Sequence, residues 1–309
     1  MTSSVDQARV VLVTGASSGI GLATAVAASR AGDHVVLVAR DEEALRLTEQ
    51  KCRVAGAAST RVVPTDVAED DDVRRCVAEA LEVTGQLDVV VNVAGVVSYG
   101  RTEEVPVEVF DAVVRTNLLG SVNLARHVVP VLRKQRQGTL VLVGSVIGHI
   151  GVPGMSPYVV SKWGVRALAR QLQLENRDRS GLHVVYLAPG GVDTPIYRLA
   201  GNYSGYVGRP PPPVTTPEKV ASRILRAVEH PRPRIQVGLA NDLIRFGFSV
   251  LPRVYDVLVG PLFAAAARDR TEPVAPGPGN VLWPTPDSYG LRGGQGNVVA
   301  GIARNLRKR

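Results

Sequence analysis

Hydrophobic residues along this chain gather in short runs separated by longer amphipathic stretches. Residues 9–13, 34–39, 61–64, 87–91, 139–144, 182–187 and 234–237 are Val- and Leu-rich runs of four to six positions. Runs of this length, without strict alternation, read as strands buried on both faces. The stretches between them have helical period, as in Val73, Val77 and Leu81, or Val165, Leu168 and Leu172. Gly32 and Gly181 stop two such helices, and Thr216-Pro217-Glu218 starts another that runs to Glu229. Strands alternating with helices predict an α/β fold, a doubly wound parallel sheet of about seven strands with helices on both faces. A helix from Pro106 towards Arg136 holds Thr116-Asn117-Leu118-Leu119-Gly120. That Asn–Gly pair is either merely tolerated or marks a distortion that turns Asn117 into the cleft. Residues 192–216 are irregular, with Tyr197, Tyr203, Tyr206 and Pro210-Pro211-Pro212-Pro213, and read as a lid or substrate loop.

These patterns give a first domain over 1–238 and a C-terminal extension in two parts. Residues 239–267 form a strongly apolar helical segment with Phe246, Leu251, Leu258 and Phe263, interrupted by Pro252 and Pro261. It packs on the domain or on a sister subunit; the alternative is an interfacial segment lying on a membrane. Residues 268–309 contain 12 Gly or Pro in 42 and carry seven Lys/Arg against three Asp/Glu, which reads as a flexible basic tail ending in 304–309.

Composition narrows the function classes. A chain of 309 residues with 45% hydrophobic residues buries a sizeable core, built mostly of aliphatic side chains because aromatics make up 5%. Cys52 and Cys76 fall in helical stretches, so neither a disulfide framework nor a metal site is expected, and a reducing cytoplasm fits. The first residues have neither the basic nor the apolar region of a signal peptide, and no run reaches the length of about 18 that a spanning helix needs. The expected location is cytoplasmic, with peripheral membrane contact through 241–267 and the tail. The net charge of +8 comes from scattered arginines without interleaved aromatics, which speaks against nucleic acid.

Candidate chemistry lies at the carboxyl ends of the predicted strands. The first strand runs into Thr14-Gly15-Ala16-Ser17-Ser18-Gly19-Ile20-Gly21 and then an alanine-rich helix. Gly15 suits a tight turn, Gly19 lets backbone approach a pyrophosphate, and Gly21 brings helix and strand together; the helix N-terminus faces the phosphates. The second strand ends at Arg40, a guanidinium suited to a 2′-phosphate, and this favours NADP(H) over NAD(H). The adjacent Asp41 would reverse that preference if the register shifted by one. Tyr158 and Lys162 are four residues apart on one helix face, where an ammonium would lower the phenol pKa. Ser145 lies thirteen residues upstream at the end of a strand.

Together these residues resemble the short-chain dehydrogenase/reductase family over residues 9 to about 238. Thr14–Gly21 looks like its cofactor turn, with Ser17, Ser18 and Ile20 beside the glycines. Asp66 and Val67 look like its adenine contact. Asn92-Val93-Ala94-Gly95 is similar to its N-N-A-G element, departing at Val93, which puts one sheet-bracing hydrogen bond in doubt. Pro189, Gly190, Val192 and Thr194 look like the nicotinamide segment, and Asn117, Ser145, Tyr158 and Lys162 match the catalytic tetrad. The resemblance implies a Rossmann-type fold and hydride exchange between NADP(H) and a carbonyl or secondary alcohol. In it Tyr158 is the general acid/base, Ser145 binds the reacting oxygen, and Lys162 holds the nicotinamide ribose and lowers the Tyr158 pKa. Asn117 holds a water behind Lys162. It also implies a homodimer or homotetramer formed through the helices containing Asn117 and Tyr158. His149 has no family role and reads as a cleft-edge or packing residue. The apolar loop and extension suggest a hydrophobic substrate. A non-catalytic NAD(P)-binding regulator and a membrane-surface protein on the same fold are the alternatives.

Overall fold

The computed structural model describes residues 8–238, 240–285 and 289–294. Seven strands form one parallel sheet: β1 (Val10–Thr14), β2 (His34–Ala39), β3 (Ser59–Pro64), β4 (Val89–Asn92), β5 (Gly138–Val143), β6 (Leu182–Pro189) and β7 (Arg234–Val237). Their order is β7-β6-β5-β4-β1-β2-β3, so the winding reverses between β1 and β4 and opens a crevice at the carboxyl ends there. This is the doubly wound Rossmann-type sheet that the hydrophobic runs predict.

Helices cover both faces. One face takes α1 (Gly19–Arg30), α2 (Glu42–Ala55) and α7 (Pro217–Glu229); the other takes α3 (Asp70–Leu81), α5 (Gly120–Gln135) and α6 (Ser156–Glu175). Strand residues alternate between the two cores: Val10 and Leu12 join one, Val11 and Val13 the other. Cys52 and Cys76 are free, buried thiols on opposite faces of the sheet, so they cannot pair. Local chemistry fixes helix ends. The Asp41 carboxylate accepts from the Ala44 N–H at 3.0 Å to start α2, and Gly56, at φ +101°, ends it. Thr216 caps α7, with Pro217 in its first turn.

The helix that holds Asn117 is distorted. α4 (Val107–Val114) passes through a π-helical turn, Arg115–Leu119, into α5. Gly120 is required just beyond, because a Cβ there would stand 2.7 Å from Val67 Cγ2.

The C-terminal part departs from the expected layout. The apolar segment forms α8 (Asn241–Val250) and α9 (Pro252–Ala267) beside the crevice. Residues 268–273 then pair antiparallel with Tyr206–Gly208 of the substrate loop, and Asn202 bridges to Gly277. Residues 277–285 and 289–294 continue over the domain in hydrogen-bonded contact, in place of the flexible tail expected from Arg268 onward. Their Gly and Pro make turns, and Val281 is a buried plug among Val96, Val105 and Val109. The basic end, 304–309, lies outside the described residues. No helix among the described residues is long and apolar enough to cross a membrane.

Gly21 tests how tightly α1 is set on β1, since a Cβ there would fall 2.0 Å from the Gly15 carbonyl oxygen. Gly21→Ala is expected to destabilise the fold by about 1–3 kcal/mol, read as a lower urea midpoint.

Candidate active site

The crevice holds a cavity of about 810 Å³ whose lining runs from the glycine turn, past Arg40 and Asp66, to Ser145 and Tyr158, and out to α8 and α9. β1 and β4 are locked together at its floor. The Thr14 hydroxyl donates to Asn92 Oδ1 at 2.7 Å and accepts the backbone N–H groups of Val93 and Ala94 at 3.1 Å each. Asn92 Nδ2 donates to Ser121 Oγ at 2.8 Å. The brace put in doubt by Val93 is therefore carried by Thr14, and Ala94 and Gly95 present bare backbone to the cavity.

The glycine turn has no room for side chains. A Cβ on Gly15 would lie 2.9 Å from the Ala94 nitrogen, and one on Gly19 would lie 3.0 Å from Thr194 Cγ2. Ser18 makes no capping bond, so the first N–H groups of α1 have no internal acceptor. Gly15, Ser17, Ser18, Gly19 and Ile20 line the cavity, whereas Gly21 sits behind them as packing. Asp66 and Val67 line its far end, held by Asn123 Nδ2, which donates to the Val67 and Ala68 carbonyls. Pro189, Gly190, Val192 and Thr194 line the other end. Asn92 braces the sheet instead of lining the cavity.

Arg40 is at the expected strand end, but its guanidinium donates to backbone carbonyls of the C-terminal segment: Asn280 at 2.6 Å, Val281 at 3.1 Å and Leu282 at 3.4 Å. Asp41 is buried, lines the cavity beside Arg40, and caps α2 through Oδ1.

Ser145 leaves the carboxyl end of β5, its hydroxyl accepting the Ile147 N–H at 3.2 Å. Its carbonyl accepts from the Tyr186 hydroxyl at 3.2 Å. Gly144 makes that contact possible, since a Cβ there would be 2.3 Å from the Tyr186 ring. Tyr186 was not singled out in the sequence; its one signal was a tyrosine in an otherwise aliphatic strand. Tyr158 and Lys162 share one face of α6, with the ammonium 5.6 Å from the phenol ring centroid. Lys162 Nζ donates to the Val143 carbonyl at 3.1 Å. Gly95 makes space for it: a Cβ there would meet Asn117 Oδ1 at 3.1 Å and Lys162 Nζ at 3.7 Å.

Asn117 is buried, with both ends of its amide occupied. Oδ1 accepts from the Val96 N–H at 2.8 Å, and Nδ2 donates to the Val96 carbonyl at 2.9 Å and Ser161 Oγ at 3.0 Å. The Asn117 side chain thus ties the β4 loop to α6. His149 packs edge-on against Tyr186 with its ring nitrogen 3.2 Å from Gln236. Burial, then Arg166 and Arg245, push its pKa down to about 4. It is a packing residue outside the cavity lining.

Burial decides the titration of the pair. It pushes the Tyr158 phenol up to about 12, against a smaller opposing pull from the Ser145 hydroxyl. It pushes the Lys162 ammonium down to about 8. The expected lowering of the tyrosine pKa is thus reversed, because Lys162 points at a carbonyl and low dielectric penalises the phenolate. No cluster of metal-ligating side chains occurs among the described residues.

Comparison with known proteins bears on this geometry. Residues 9–202 match the family model for short chain dehydrogenase. Dehydrogenase/reductase SDR family member 7B of Xenopus laevis is 32% identical over 276 residues, 86% of this chain and 84% of that protein. NADPH-dependent pterin aldehyde reductase of Arabidopsis thaliana is 32% identical over 195 residues, 63% of this chain and 79% of its own. 3-Dehydrosphinganine reductase of Danio rerio is 36% identical over 189 residues, 60% of this chain and 57% of its own.

A buried cation should cost stability. Replacing it by Lys162→Met is expected to raise the melting temperature at pH 7 by about 2 °C or more. The gain should fade between pH 8 and 10.5, where the unfolded chain binds the lysine proton and the folded chain no longer does. Melts of both proteins across that range check it; a gain independent of pH would contradict it.

Proposed function

The chain belongs to the short-chain dehydrogenase family, and we propose that it is an NADP(H)-dependent oxidoreductase that interconverts a hydrophobic ketone and its secondary alcohol. The observation that carries the reading is the convergence of Ser145, Tyr158 and Lys162 at the carboxyl edge of the sheet, in one cavity with the glycine turn. That turn fits a dinucleotide: bare backbone faces the cavity at Gly15 and Gly95, and α1 starts there without a side-chain cap, although the Gly19 N–H is held by the Gly290 carbonyl. The bound dinucleotide supplies or accepts the hydride.

The chain's own residues handle the oxygen and its proton. Tyr158, kept protonated by burial, donates to the carbonyl oxygen during reduction. The Ser145 hydroxyl hydrogen-bonds the same oxygen and stabilises the charge that develops on it. Lys162 supplies a cation between the phenol and the ribose hydroxyls, and Asn117 fixes the loop and helix that hold it. For the cofactor, Arg40 supports NADP(H): it is the cation at the adenosine end, and one relative is named as NADPH-dependent. Three carbonyls leave guanidinium N–H groups over for a phosphate.

The apolar lining supports a hydrophobic substrate. Leu243, Phe246, Leu251, Val254, Leu258 and Leu262 of α8, α9 and their junction line the cavity and are also exposed, Leu243 to 73%. Each such side chain left in water forgoes about 1.5–3 kcal/mol of burial. A long-chain substrate lying along this rim would recover part of it, and a relative is named as a 3-dehydrosphinganine reductase. The same rim supports peripheral membrane contact as a second reading, with a lipid-borne substrate entering along it. Subunits would pair through the outer faces of α5 and α6, where Leu119, Val160, Trp163 and Leu174 stand exposed.

Turnover of long-chain ketones with NADPH and NADH side by side tests the reading. Tyr158→Phe is expected to lower kcat about a thousandfold while leaving NADPH affinity within twofold, and Ser145→Ala about a hundredfold. Alcohol oxidation should climb towards alkaline pH, because the phenol that must accept the proton loses its own only near 12. A Tyr158→Phe protein as active as the parent would refute the catalytic assignment. Cofactor binding without turnover of any carbonyl would favour the regulator.

A further inference from the structure

Residues 277–285 and 289–294 lie beyond the family match at 9–202 and cross the carboxyl edge of the sheet. They are anchored at three points along the cleft. At its adenosine end, Arg40 grips the carbonyls of Asn280, Val281 and Leu282. Over the glycine turn, the Gly19 N–H donates to the Gly290 carbonyl at 2.9 Å. Beside the nicotinamide loop, the Gly293 N–H donates to Asp193 Oδ1 at 3.0 Å, and Arg292 pairs with Glu218 at 2.9 Å. The segment follows the groove that the proposed dinucleotide would follow.

It covers this groove without filling it. The cavity remains open beneath, and Asn280 and Tyr289 line it opposite Gly15, Arg40, Asp66 and Val67. Asn280 lines the cavity, while its Oδ1 is shielded from it and has no hydrogen-bond partner among the described residues. A buried acceptor without a donor carries its desolvation cost uncompensated, and a turn of the amide would offer it to a donor on a ligand in the cavity. An ionised phosphate has no donor to offer. Adenosine has two kinds, the ribose hydroxyls and the base amino group. Tyr289, half-buried with its phenol tied to the Thr285 backbone, presents its ring to the same space beside Arg40 and Asp41.

We propose that the segment is the outer wall of the dinucleotide cleft, that Asn280 and Tyr289 are cofactor-binding residues at its adenosine half, and that Arg40 is the positioning residue that holds them there. The proposal rests on reading the cleft as a dinucleotide site. Arg40 then acts twice, as the cation near the adenosine and as the latch on the wall.

Calorimetric titration of the full-length chain with NADPH and with adenosine 2′,5′-bisphosphate tests it, with stopped-flow release of NADPH as a second readout. Asn280→Ala and Tyr289→Ala are each expected to weaken both ligands about tenfold and to speed release, with melting curves like the parent's. Because Asn280 lies close to the buried plug, Tyr289→Ala carries the test should Asn280→Ala fail to fold. Asn280→Asp keeps the shape but sets a carboxylate by the ligand, and should weaken the bisphosphate more than adenosine 5′-monophosphate. Unchanged affinity for both ligands in folded Tyr289→Ala overturns the proposal. Tighter binding also overturns it, and would make the segment a competitor for the cleft. A parent chain that binds no dinucleotide at all would instead refute the functional reading beneath it.

Discussion

A lysine ammonium buried at the carboxyl edge of the sheet is the constraint around which the site is built. Burial alone drives the Lys162 pKa down to about 8, which leaves the group mostly charged at neutral pH. The carbonyl at the end of β5 takes one of its protons. Gly95 clears a path to it, and Asn117, beyond, is locked by hydrogen bonds to Val96 and Ser161. The π-turn between α4 and α5 carries Asn117, and Gly120 lets the same helix lie against Val67 at the adenosine end of the cleft. Lys162 thus ties α6 to β5, and Asn117 ties the distorted helix to the loop after β4 and to α6.

Much of this was legible in the sequence, for definite reasons. Parallel strands buried on both faces leave continuous aliphatic runs, so β2 is found at the position that its pattern marks; the edge strand β7, Arg234-Ile235-Gln236-Val237, is also found as read, and the other strands shift only at their ends. Glycines at 15, 19 and 21 are legible because a Cβ at any of them would collide with a neighbour or crowd it closely. The Tyr158–Lys162 spacing fixed their shared face, but not where the ammonium would point. That direction is set by the Val143 carbonyl, which sequence spacing cannot reveal. Burial then outweighs the charge, and the tyrosine pKa moves opposite to expectation.

The C-terminal segment was misread because its composition carries two meanings. Glycine and proline lower the gain from packing and favour disorder, but they also make the tight turns that let a strand-poor segment lie over a surface. What holds 280–282 is long-range: a guanidinium over two hundred residues away in sequence and one valine inserted in an apolar cluster. No local pattern records such partners. Arg40 shows the same limit from the other side, since its position was legible but its carbonyl acceptors were not.

A raised tyrosine pKa bears on how the site is used. Tyr99, Tyr158 and Tyr197 all line the cavity, and burial raises all three, so the shift by itself does not single one out. Of these, Tyr158 is the phenol that meets the Ser145 hydroxyl and has Lys162 across its ring. A phenol held protonated is ready to give its proton to a carbonyl oxygen, and a nearby cation lowers the cost of the phenolate left behind. In the proposed reaction, reduction would start from the protonation state that burial maintains, and oxidation would first have to remove that proton against the same burial.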